Sequence, residues 1–186
     1  VACQEITNKL LPTNKHIMKK LFLSLLFMLL TSAQTIAEGL PKVSTEQETT
    51  WYMIKFMNGG NALTAATDNA NITTSGATGS KAQLWKITGS ESDGYVLTNK
   101  LGYTLCVESA AKNQMVRAQA YATGINKFVF NPTTASGYSG GYEIQPKTNT
   151  AISMNLWGGP KENRGVGLWD KGDENNAVEF VDASSF

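Results

Sequence analysis

"QLWKIT", residues 83 to 88, decides how this chain is read. Its apolar side chains fall on alternate positions, Trp85 and Ile87, as they do on a strand that turns one face to a core. An amide, Gln83, opens the segment. The same order returns twice, as Asn126, Phe128 and Phe130 and then as Asn176, Val178 and Phe180. Each of these segments closes a set that opens with a tyrosine, one residue and an aliphatic: Tyr52 and Ile54, Tyr95 and Leu97, Tyr142 and Ile144. A second strand follows each opening, centred on Leu63, Leu105 and Ile152. Self-similarity at a fixed period signals one supersecondary unit used repeatedly, its copies burying together the face that none can bury alone.

Between these landmarks, short β-branched and aromatic runs are separated by Gly, Asn, Ser and Asp from Trp51 to the C-terminus. They predict about a dozen strands and no helix. The expected architecture is all-β, with three four-stranded repeats closing into a threefold barrel, because closure also removes exposed sheet edges.

The "QLW" at 83 to 85, with its echoes "NKF" at 126 to 128 and "NAV" at 176 to 178, resembles the Q-x-W repeats of the ricin-type β-trefoil lectins. The resemblance covers residues 51 to about 183. It implies a six-stranded barrel capped by a triplet of hairpins, and a carbohydrate-binding function. It also implies where each repeat would hold a sugar: a carboxylate after the second-strand aliphatic, an aromatic on the third strand and an asparagine beside the closing amide. An aromatic face packs on the C–H side of a pyranose, while a carboxylate and an amide fix two neighbouring hydroxyls. The first repeat offers Thr64, Ser75 and Ala82, and the second Cys106, Gln119 and Ile125; neither set suits the task. The third offers Ser153, Trp169 and Asn175, which supplies platform and amide but no carboxylate. Asp170, Asp173 or Asn155 would have to provide the acceptor.

The third repeat also carries "NLWGGPKENRG", residues 155 to 165, before its third strand. This loop places Trp157 beside Gly158 and Gly159, where backbone approaches a ligand closely. Two readings of Trp157 stand: the second wall of a cleft, or the plug of a small hydrophobic cluster under its loop. For Trp169 the neighbouring Leu168 competes for the interior, and only one of two adjacent strand residues points inward.

The N-terminal region reads as something other than structure. "MKK" from Met18, the apolar run Leu21 to Leu30 and "TSAQTIAEG" describe a secretory signal peptide over 18 to 37, too short to span a bilayer as a helix. Residues 1 to 17 read as an upstream extension, 38 to 50 as a polar linker and 51 to 186 as the trefoil domain. The expected location is outside the cytoplasm, secreted or exported, with no membrane insertion after cleavage. Past the leader no histidine remains, Cys106 is the single cysteine, and acidic residues outnumber basic ones. That balance argues against a nucleic-acid partner.

Without histidine there is no Ser-His or Cys-His nucleophile pair and no histidine-containing zinc site. The carboxylates are too scattered to suggest a glycosidase pair. The acidic cluster Asp170, Asp173 and Glu174 lacks the spacing of an EF-hand loop, so neither metal nor cofactor is expected. The sequence thus points to a glycan or polysaccharide ligand and not to an enzyme. The alternative is a trefoil that binds protein, such as a protease inhibitor, through loop 155 to 165.

Overall fold

The computed structural model describes residues 39 to 185 of the 186-residue chain. The proposed signal peptide lies outside them. Each repeat begins with the strand that carries its tyrosine: β1 (Tyr52–Phe56), β6 (Gly94–Asn99) and β10 (Tyr142–Pro146). Each ends with the strand that follows its amide: β5 (Leu84–Ser90), β9 (Phe128–Pro132) and β13 (Val178–Asp182). These six close a ring by antiparallel pairing, β1 to β5, β5 to β6, β6 to β9, β9 to β10, β10 to β13 and β13 back to β1. The alternate apolar positions fill it: Ile54, Leu97, Ile144, Trp85, Phe128 and Val178 are all fully buried.

The middle strands form three hairpins. The first repeat pairs β2 (Ala62–Thr64) with β4 (Thr73–Ser75), and the second pairs β7 (Thr104–Cys106) with β8 (Arg117–Gln119). The third pairs β11 (Ile152–Leu156) with β12 (Val166–Asp170). A short β3 (Ala70–Asn71) precedes β4, interrupted at Ile72. The interruption has a cause. Ile72, Val116 and Val166 meet around the threefold axis, each donating its N–H to the next: Ile72 to Val116 O at 2.9 Å, Val116 to Val166 O at 2.9 Å and Val166 to Ile72 O at 3.0 Å. Their side chains are fully buried in the cap.

Three residues before each of these stands an asparagine with positive φ: Asn69 at 55°, Asn113 at 70° and Asn163 at 57°. Asparagine is among the few residues besides glycine that adopt this left-handed region at small cost. Each donates its backbone N–H across a repeat boundary, to Ala118 O, Leu168 O and Thr74 O. The three therefore lock the hairpins to one another.

This ring also fixes the internal alignment. Ser75, Gln119 and Trp169 are equivalent third-strand positions, and their ladders place Leu63, Leu105 and Met154 at the equivalent, fully buried second-strand positions. The expected centre at Ile152 is thus two residues early. Both residues are apolar, and a shift by two keeps every side chain on its face, so the pattern alone does not separate them.

The polar stretch read as a linker is bonded to the barrel. Ser44 donates its N–H to Ile87 O at 2.7 Å, its hydroxyl bridges to Thr50, and Lys42 N donates to the Tyr52 hydroxyl at 2.8 Å. No helix among the described residues is long and apolar enough to cross a membrane.

Candidate functional site

On β12 the side chains divide as strand parity requires: Leu168 is fully buried in the core, and Trp169 lies half-buried on the opposite face. Beside it opens a cleft of about 510 Å³, lined by Trp157, Trp169, Asn113, Asn155, Asp173 and Asn175, with Leu156, Gly158 and Gly159 completing it. Both tryptophans therefore face one space. Trp157 follows β11 and its backbone N–H bonds Gly165 O at 3.0 Å, which turns the indole over Gly167 of β12. A methyl group on Gly167 would overlap that ring. The Trp157 Nε1 is buried and unbonded there.

The polar floor is held by a network centred on Asp173. Its Oδ1 accepts Asn175 N at 2.9 Å, capping a short 3₁₀ turn over Glu174–Asn176, and accepts Asn155 Nδ2 at 3.1 Å. Asn155 gives its other amide proton to Asn176 Oδ1 at 2.8 Å, and Asn176 donates to Asp170 O at 2.7 Å. The turn that carries Asp173 is pinned from below: Glu143, buried in β10, accepts Gly172 N at 2.9 Å and is itself held by Thr133 and Gln145.

Two of the residues singled out in the sequence fall elsewhere. Ser153 reaches neither solvent nor cleft: it is buried opposite Trp169 in the ladder, its hydroxyl donating to Ile144 O at 3.3 Å. The corrected alignment puts Asn155, not Ser153, at the position equivalent to Thr64 and Cys106. Asp170 does not line the cleft; its carboxylate pairs with Lys112. The Lys112 ammonium also lies 3.7 Å from the centre of the Trp169 ring. The residue before each left-handed asparagine reaches the same place in the next repeat, where Asp68 accepts Ala120 N and Glu162 accepts Gly76 N. At the third boundary a lysine stands in place of the acidic residue, and it lies against both the Asp170 carboxylate and the Trp169 ring.

Solved structures share this architecture. The chain is similar to ThreeFoil, a designed threefold-symmetric protein, at 20% identity over 71% of this chain and 98% of that one, with a TM-score of 0.61. It is similar to a ricin B-like lectin of Macrolepiota procera in complex with lactose, at 18% identity over 76% and 99% of the two chains, TM-score 0.62. The Rhizoctonia solani agglutinin matches at 18% identity over 76% and 99%, TM-score 0.60. The fold is a β-trefoil. No protein-family model and no curated protein matches the chain.

Within the trefoil the first two repeats spend their equivalent groups on themselves. Thr64 and Ser75 bond each other at 2.9 Å, and Gln83 donates to both and to Gly76 O. In the second, the Cys106 thiol, its pKa pushed up by burial, donates to Gln119, which is also bonded to Asn69 and Thr123. The third repeat alone sets an aromatic at this position of the trefoil. Among the described residues no group of three or more His, Cys, Asp or Glu gathers as metal ligands do.

Gly167→Val is expected to displace the Trp157 indole and to destabilise the fold by about 1–3 kcal/mol, the usual cost of overpacking. Thermal unfolding checks the stability, and the change in tryptophan fluorescence reports the displaced ring. Wild-type stability and emission in this variant would mean that Trp157 does not rest on β12.

Proposed function

We propose that this trefoil binds a glycan in the third-repeat cleft. The observation that carries the reading is the convergence of Trp157 and Trp169 on one space, floored by Asp173 and Asn175. Two indoles supply apolar faces for the C–H side of a pyranose, and the floor supplies both hydrogen-bonding senses for its hydroxyls. That the Macrolepiota procera protein of the same fold is a lectin seen with lactose supports the reading.

One open site exchanges water hydrogen bonds for sugar hydrogen bonds and gains little net energy, so millimolar affinity, about −4 kcal/mol, is expected for a single sugar. Useful retention then requires a polymer or several copies side by side. We place the protein outside the cell, a reading supported by the signal-peptide pattern of the sequence at 18 to 37. The same fold also forms part of longer chains: the match to a Clostridium perfringens endo-β-galactosidase covers 32% of that chain.

A glycan and polysaccharide array followed by titration with the scoring ligand tests the proposal. Binding that shifts the side-chain amide signals of Asn175 and the indole signals of Trp157 and Trp169 is expected. Failure of the folded chain to retain any glycan would overturn it and favour a protein partner.

A further inference from the structure

The cleft has a partner from outside its own repeat. Asn58, in the turn after β1, donates its Nδ2–H to Asn175 Oδ1 at 2.9 Å. The two residues are far apart in sequence and meet across the seam between the first and third repeats. All three seams share one backbone bond, Met57 N to Ala177 O, Lys100 N to Leu84 O and Lys147 N to Lys127 O, each 2.9 Å. Counting one residue on and two back from these gives the equivalent pairs: Asn58 with Asn175, Leu101 with Ala82, and Thr148 with Ile125. Two amides face each other only at the seam that borders the cleft.

We propose that Asn58 determines the specificity of this site by setting which end of the Asn175 amide meets the ligand. With Oδ1 turned toward Asn58, Asn175 presents its NH₂ to the cleft and acts there as a donor. Asp173, whose Oδ1 is taken by Asn155 and by the Asn175 backbone, is left with Oδ2 as an acceptor. The floor therefore reads two neighbouring hydroxyls unequally: the one at Asn175 accepts, and the one at Asp173 donates. A group that only accepts is tolerated at the first and refused at the second. This inference rests on the glycan reading of the cleft.

Asn58→Asp keeps the size of the side chain and removes its donor. The carboxylate accepts only, so Asn175 must turn its NH₂ toward residue 58 and show Oδ1 to the cleft, leaving two acceptors side by side. Asn58→Gln, which keeps the carboxamide donor, is the control. The probes are the monodeoxyfluoro analogues of the sugar that scores on the array, since fluorine accepts weakly and donates nothing. We expect the wild type and Asn58→Gln to keep part of their affinity for one analogue, and Asn58→Asp to bind the parent sugar about tenfold more weakly and to lose that analogue altogether.

A ligand-free readout accompanies the titrations. Scalar coupling through the hydrogen bond, from the Asn58 side-chain nitrogen to the Asn175 carboxamide carbon, shows which amide donates. Coupling in the opposite sense, or an Asn58→Asp protein that folds and binds all analogues as the wild type does, overturns the proposal. A wild type that shows the expected coupling and binds no glycan overturns instead the reading of the cleft, and with it the specificity role of Asn58.

Discussion

Trp169→Ala is expected to abolish measurable glycan binding in a protein that still folds. The indole is half-buried on the outer face of β12, and the core beneath the hairpin is filled by Leu168 and Met154. Removing it deletes the platform's apolar area and its stacking contribution, together roughly 2 kcal/mol, or about thirtyfold in affinity. From a millimolar starting point this leaves nothing to titrate. Stability should change little, because the indole's principal partner is the Lys112 ammonium, an attraction worth about 0.5–1 kcal/mol at an exposed site. A fall in Tm of roughly 2–4 °C follows for a domain of this size. Unchanged affinity in Trp169→Ala would remove this residue from the site.

Trp85→Ala should do the reverse. Trp85 is fully buried in the barrel, and its Nε1 donates to Leu63 O at 3.1 Å. Truncation leaves a cavity and a carbonyl without its partner, at a cost of about 3–5 kcal/mol for the first and about 1 kcal/mol or more for the second. Against a typical total of roughly 5–15 kcal/mol, that fall is severe, and a drop in Tm of about 10 °C or more is expected in thermal melts. Below the transition the variant should bind glycan as the wild type does. A loss of under about 1 kcal/mol would mean that the barrel collapses around the vacancy.

The contrast between these two tryptophans is legible in the sequence because it depends on strand parity, a local property. Trp85 shares its slot with Phe128 and Val178, whereas Trp169 has Leu168 as a rival for the interior. The barrel strands are legible for the same reason. Other features leave weaker traces. The most regular repeat in the chain is not the closing amide but the left-handed asparagine before the axial residue: "DNANI" at 68 to 72, "KNQMV" at 112 to 116 and "ENRGV" at 162 to 166. A charged residue, an asparagine and, three on, a β-branched aliphatic recur there, a signal present but diluted by unlike neighbours. The sequence pattern directs Ser153 to the cleft because Ile152 and Met154 are both apolar, and only the ladder distinguishes them. Asn58 gives no sign at all, since its partner arrives through closure of the ring and not through any spacing along the chain.

The axial bonds among Ile72, Val116 and Val166 have an evolutionary consequence. They join main-chain N–H and C=O groups, which every residue except proline supplies in full. Side chains around the axis are then free to drift so long as they stay apolar and of similar bulk. Three copies can then diverge in their outer side chains without loosening the join between them. The fold can thus persist while the surface side chains change, and this chain shares its fold with the Macrolepiota procera protein at only 18% identity.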